Sequence, residues 1–194
     1  ADYREARALL TSSVELAKQL NDIEAESNTY LSLGNVALDQ GQHAEADAHY
    51  TRSLELSEQI SDTLGYAYAL DNLGVSAWHR GDLDRASRLA DEVMELYQQL
   101  GIESGKANVW HRRCLVALES GRLQDAEDHG MRALRVRTAQ GEDRAGAFVL
   151  YDLARVALAR GDSELARSRL RLVIVVKECE QPVIVGLSDW VVLM

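Results

Sequence analysis

The stretch Leu73-Gly74-Val75-Ser76-Ala77-Trp78-His79-Arg80-Gly81-Asp82-Leu83-Asp84-Arg85-Ala86 decides the fold, because the rest of the chain can be laid over it in shifted copies. About forty residues earlier stands Leu33-Gly34-Asn35-Val36-Ala37-Leu38-Asp39-Gln40-Gly41, closed by Ala46. Later copies run Leu115-Val116-Ala117-Leu118-Glu119-Ser120-Gly121, closed by Ala126, and Leu153-Ala154-Arg155-Val156-Ala157-Leu158-Ala159-Arg160-Gly161, closed by Ala166. Glycine therefore recurs at 41, 81, 121 and 161. A fixed period of this length marks one small unit stacked several times, each copy burying its apolar face against its neighbours.

Each full unit reads as helix A, a short glycine turn and helix B. The apolar spacing predicts A helices over 22–40, 62–80, 103–120 and 143–160, and B helices over 42–59, 82–99, 122–139 and 162–179. The closing glycines suit a left-handed residue at a helix end, and Asp82 and Asp162 suit the N-caps that follow. Residues 1–20 align with 41–60, with Ala6 on Ala46 and Leu16 on Leu56, and so form the second helix of an incomplete unit. Four full repeats follow, 21–60, 61–100, 101–140 and 141–180, and residues 181–194 align with the start of another helix A. Residues 1–194 thus read as a single repeat domain, and a pattern that starts and stops mid-unit predicts a longer parent protein.

Small residues recur where helices must cross closely. Ala37, Ala77, Ala117 and Ala157 form a row on the A helices, and Ala46, Ala86, Ala126 and Ala166 a row on the B helices. Tyr30, Leu70, Trp110 and Leu150 are expected to fill the space between. Leu170 to Val176 is β-branched enough to suggest a strand, but the Gly161 turn, Asp162 and Ala166 stay in phase and predict helix B.

The composition, 46% hydrophobic and 27% charged with a single proline, Pro182, is that of a well-cored helical protein. A net charge of −10 speaks against direct nucleic-acid binding, which draws its affinity from phosphate neutralisation. The charge is uneven: the first 100 residues hold 7 Lys or Arg against 18 Asp or Glu, and the remainder 14 against 13. Cys114 and Cys179 are too few for a disulfide framework and read as free thiols. No leader pattern and no long apolar span is visible, which predicts a cytoplasmic location and no membrane partner.

Leu33-Gly34-Asn35, Gly41 and Ala46, with Tyr30 before and Tyr50 after, resemble the tetratricopeptide repeat. The resemblance covers nearly the whole chain and implies an all-α, right-handed superhelical solenoid. This chain departs from the family pattern in its forty-residue period, in lacking the closing proline, and in Arg113-Cys114 of the third unit. Long repeats of this kind are similar to the helical arrays of large bacterial regulators of the maltose-regulator type, in which an ATP-binding switch precedes the array. That likeness implies a region of a signalling or transcriptional regulator.

Candidate chemistry is sparse. Gly101-Ile102-Glu103-Ser104-Gly105-Lys106-Ala107 glances at a phosphate loop, but the spacing is one short, no Ser or Thr follows the lysine, and no strand precedes it. His111 and Cys114 are spaced to chelate a metal from one helix, yet no second ligand pair stands nearby, and no metal or other cofactor is expected. No acid, base and nucleophile converge on a pocket in this geometry, so no catalysis is expected.

In the family the A helices line the groove, and its ligand-facing positions carry over by register. They fall on Asn28, Leu31, Asn35 and Asp39; on Tyr68, Asp71, Val75, Trp78 and His79; on Asn108, His111, Leu115 and Glu119; and on Phe148, Tyr151 and Arg155. Aromatics among amides and charges suit recognition of a protein or peptide, although Tyr68, Trp78 and Phe148 could instead complete the core. A sensor for a small ligand, such as a sugar or short peptide, is the alternative. Finally, Leu172 and Val175 occupy slots that are charged in the other units, and with Cys179 they give the last B helix an outward apolar stripe. With Trp190 and Val191 beyond it, this stripe predicts self-association as a homodimer.

Overall fold

The computed structural model describes residues 3–178, with side chains to Val173. They form α1 (Tyr3–Leu20), α2 (Ile23–Asp39), α3 (His43–Gln59), α4 (Thr63–His79), α5 (Leu83–Leu100), α6 (Glu103–Glu119), α7 (Leu123–Ala139), α8 (Asp143–Ala159) and α9 (Ser163–Glu178). Every helix lies where the apolar period places it, and α9 remains helical through its valine-rich end. The chain divides into two compact units, Ala1–Leu100 and Gly101–Met194, and the division falls on a repeat boundary.

In unit 1 each of α1 to α5 packs on its chain neighbour, and α2 also touches α4; in unit 2 α6 to α9 do the same, and α6 touches α8. The A helices of a unit thus lie side by side. The two alanine rows are what let each A helix approach its own B helix. All eight alanines are at most 1% exposed, Ala117 clusters with Ala126, and Ala157 with Ala166. Leu70 and Leu150 are buried as expected, whereas Tyr30 and Trp110 are only half-buried and carry cations against their rings.

The turns hold a regularity finer than the forty-residue period. Left-handed residues stand at Asn21, Gly41, Ser61, Gly81, Gly101, Gly121, Gly141 and Gly161, one every twenty residues. Both the A-to-B and the B-to-A turn therefore use the same device, and Asn21 and Ser61 hide it in the sequence. Asp22, Asp62, Asp82 and Asp162 each follow such a residue and accept a backbone N–H of the next helix, which satisfies donors the helix itself leaves open. Ser61, at φ 56°, carries a Cβ where Gly81, at φ 76°, has none. Ser61→Gly should therefore raise stability by about 0.5–1 kcal/mol, and Gly81→Val should lower it by about 2 kcal/mol. Urea denaturation of both variants checks the pair, and a stabilising Gly81→Val would contradict this placement.

Gly65 corrects an expectation. Inside α4 an alanine there should be tolerated on propensity alone, yet an added Cβ would lie 2.6 Å from Ser57 Oγ and closer still to the Asp62 carboxylate. That carboxylate is fixed by the N–H groups of Leu64 and Gly65, and Ser57 is tied to Ser27, which also meets Ser53, in a buried hydroxyl cluster. Packing therefore overrides propensity at this position.

Leu172 corrects another. It is half-buried and packs with Val173 and Trp110 on the cluster of Ala133, Leu134, Val149, Leu150 and Leu153, instead of facing water as the register comparison predicts. The slot that holds arginine or glutamate in other repeats is covered here once a leucine fills it. Cys179, Trp190 and Val191 lie outside the described residues, as does the side chain of Val175.

Candidate functional site

The positions of unit 1 that the family register expects to face a ligand lie on α2 and α4. Asn28, Asn35, Asp39, Tyr68 and His79 are exposed, Leu31, Val75 and Trp78 are half-buried, and Asp71 is buried. Tyr50, fully buried under Gly34, donates its hydroxyl to Asn35 Oδ1 at 2.8 Å and so fixes the amide on the open face. Tyr68 is 40% exposed, with its ring 6.2 Å from that of Tyr97. Trp78 and His43 flank the ring of His79 at 4.6 and 5.8 Å.

Unit 2 presents the face of α6 and α8. Phe148 and Tyr151 are 59% and 51% exposed, and Leu158 continues their stripe at 53%. Beside the stripe runs a chain of polar contacts. His111 Nε2 lies 2.8 Å from Asp152 Oδ2, Arg155 donates to Asp152 Oδ1 at 2.9 Å, and it donates to Glu119 at 3.0 Å. Asn108 is held by Arg137, which also pairs with Glu142. Asp152 is not among the register positions, although it binds two residues that are, His111 and Arg155. Its spacing of three from Arg155 was the available signal.

The aromatic positions do not complete the core: Tyr68 and Phe148 stand open, and Trp78 is half-buried. Their exposure is what a contact surface requires, since a large apolar side chain left in water gains from being covered. His111 and Cys114 do not converge on a common point. His111 turns to Asp152, and Cys114 is buried against Gly130, where a Cβ would come within 3.1 Å of its sulfur. Burial pushes the Cys114 thiol up to about 12, so at neutral pH it is a protonated packing group and a poor metal ligand. Among the described residues no group of three His, Cys, Asp or Glu is placed to hold a metal ion.

His79 is exposed as a residue, but partial desolvation of its ring between Trp78 and His43 lowers its pKa, with His43 adding to the effect; burial also lowers that of His129, with the Arg113 and Arg132 charges adding to it. Both imidazoles are kept neutral by the fold, so the unfolded chain binds protons more readily. Stability should therefore fall as pH drops from the ordinary histidine value near 6.5 through the lowered folded values. Glu45, held below its ordinary value chiefly by its hydrogen bond from Arg7, loses its contribution only below the carboxylate range. The urea midpoint should be lower at pH 5.5 than at pH 7.5, and the difference should shrink in His79→Gln with His129→Gln. An unchanged difference would show that other groups carry it.

Helix hairpins of forty-residue period, with alanine-lined crossings and a polar and aromatic A-helix face, define an all-α helical-repeat protein. The tetratricopeptide repeat profile matches residues 1–59, 25–99 and 105–174, and the chain belongs to that family. Among solved structures it is similar to BtubC (BKLC) from P. vanneervenii, with a TM-score of 0.73 and 20% identity over 94% of this chain and 77% of that one. It is also similar to a putative kinesin light chain of Podosopora anserina with nearly identical TPR-like repeats. Two structures of that protein give TM-scores of 0.64 and 0.62 at 16% and 17% identity, covering 90% of this chain and 86% and 87% of theirs. At such identities the likeness is one of fold. No curated protein sequence gives a significant match. Among the described residues no helix is long and apolar enough to cross a membrane.

Proposed function

We propose that the protein is a noncatalytic scaffold that holds a protein or peptide segment against the A-helix faces of its units. Membership in a repeat family that mediates protein–protein contacts supports this reading. The observation that carries it is the pairing of exposed aromatics, Tyr68 in unit 1 and Phe148 and Tyr151 in unit 2, with polar groups already fixed by the protein. Open aromatic rings supply contact area at little entropic cost, and preorganised amides and charges supply orientation. The long forty-residue period favours a place within a bacterial signalling or transcriptional regulator.

The test is selection from a displayed peptide library on the wild-type protein, followed by affinity measurement on variants. Peptides that use these faces should lose about thirtyfold in affinity to Tyr68→Ala or to Phe148→Ala with Tyr151→Ala, the usual scale of a contact hot spot. Selected peptides that bind all variants equally would show that the A-helix faces are not the site. Failure to select peptides, together with a melting temperature raised by a small metabolite, would favour the sensor reading instead.

A further inference from the structure

Comparison of equivalent positions in the two units exposes a second surface, which does not use Tyr68, Phe148 or Tyr151. In repeat 21–60 an aromatic, a histidine and an arginine come together as Tyr30, His49 and Arg52. In repeat 101–140 the same slots hold Trp110, His129 and Arg132. The ring contacts recur as well: Tyr30 lies 5.8 Å from His49, and Trp110 stacks on His129 at 5.3 Å.

The charges around the arginine do not recur. Arg52 is answered by two carboxylates of its own unit, Glu26 at 3.5 Å and Glu55 at 3.1 Å. Forty plus forty residues on, Lys106 stands in the slot of Glu26 and Arg135 in the slot of Glu55. Lys106 is neutralised within its own helix turn by Glu103. Arg132 and Arg135 are exposed and have no ion-pair partner among the described residues. Arg132 lies over the Trp110 ring at 4.7 Å, with Arg113 at 4.9 Å from the same centroid. The indole thus holds the Arg132 guanidinium in place, and no carboxylate among the described residues stands within ion-pair distance of it. His129 Nδ1 is buried beside it with no hydrogen-bond partner.

Arg132 and Arg135 are the cations here that no ion pair satisfies, and a carboxylate bound there would gain charge-assisted hydrogen bonds from a preorganised guanidinium. We propose that the corner formed by Trp110, Lys106, Arg132 and Arg135 is a seat for an acidic segment of a partner polypeptide, supplying from outside the carboxylates that unit 1 draws from its own chain. A polypeptide suits the site better than a lone anion because Arg52 takes two carboxylates at once, from two helices. The overall charge of −10 disfavours indiscriminate attraction of acidic chains, so binding there would be local in origin.

The experiment is calorimetric titration of the full chain with a hexaglutamate peptide and, separately, with glutarate. Wild type should bind hexaglutamate, and affinity should fall by about tenfold in Arg132→Gln and in Lys106→Glu, the loss expected for one charge-assisted contact. Arg167→Gln, an exposed arginine on α9 outside the corner, should bind as wild type does. Arg135→Glu restores one carboxylate of unit 1 without breaking an ion pair, so it should also raise the melting temperature despite adding negative charge to an acidic protein, whereas Lys106→Glu loses the pair with Glu103 and is read by binding alone. Circular dichroism confirms that both remain helical, and either one alone suffices for the comparison. Absence of hexaglutamate binding by wild type, or binding by Lys106→Glu and Arg135→Glu as tight as that of wild type, overturns the proposal. Glutarate binding as tightly as hexaglutamate overturns it too, because the corner would then serve a free dicarboxylate.

Discussion

Arg169→Leu is expected to destabilise the protein by about 3–5 kcal/mol, a large share of the roughly 5–15 kcal/mol that a domain possesses. Arg169 is 2% exposed in α9. Its guanidinium meets both Glu127 oxygens on α7 and donates to the Leu153 carbonyl of α8 at 2.8 Å, so one side chain ties three helices of unit 2. Removing it strands the Glu127 carboxylate at a site with little water, and that desolvation supplies most of the cost. The repeats themselves suggest the cure. By register the counterparts of the Arg169–Glu127 pair are Leu89 with Asp47 and His129 with Ser87, so leucine and serine each occur in these slots without an arginine–glutamate bridge, though not together. The double variant Arg169→Leu with Glu127→Ser should therefore recover most of the loss. Urea denaturation of the two singles and the double measures the coupling. A double variant as unstable as Arg169→Leu would mean that lost volume, and not the stranded charge, sets the cost.

The helices were legible because period and turn agree: the A and B ladders of alanine fix the phase, and the glycines fix the ends. That agreement outweighed the β-branched run in α9, where propensity alone pointed elsewhere. What escaped sequence reading were features that exist only between side chains. The twenty-residue recurrence of left-handed turns was masked because Asn21 and Ser61 adopt a backbone usually announced by glycine. Asp152 was passed over because register assigns faces, not partners, and its role comes from reaching across to His111 on the neighbouring A helix. The same limit applies at Leu172, where a leucine in a charged slot turns inward because the cluster beneath it offers apolar surface. Most of the ligand-facing positions proved exposed or half-buried, with Asp71 the buried exception, because the A-helix face follows from helical geometry. Trp110 was read as filler because an aromatic in that slot packs in either case. Only the neighbouring charges distinguish it from Leu70 and Leu150.

Gly34→Cys should be among the most damaging single substitutions, costing about 3 kcal/mol, and Tyr50→Gly in the same chain should return much of it. A Cβ on Gly34 would lie 2.5 Å from Tyr50 Cδ1 and within 3 Å of two further ring atoms. Tyr50 cannot yield, since its ring is fully buried and its hydroxyl is engaged with Asn35. The occupants of the two slots change from repeat to repeat, and at least one of each pair is small. Gly34 faces Tyr50, Gly74 is paired by register with Ala90, Cys114 faces Gly130, and Ala154 is paired with Leu170. In 21–60 the large residue stands on helix B and the smallest on helix A, and in 101–140 the order is inverted, with Leu153 and the Cys114 sulfur filling the room that Gly130 leaves. The double variant Gly34→Cys with Tyr50→Gly copies that inverted pair into 21–60. Its stability should exceed that of Gly34→Cys even though Tyr50→Gly alone removes a buried aromatic and should itself cost about 3–5 kcal/mol. Strict additivity of the two losses in a denaturation cycle would show that the slots do not meet, and would break the account of how each helix A seats on its helix B.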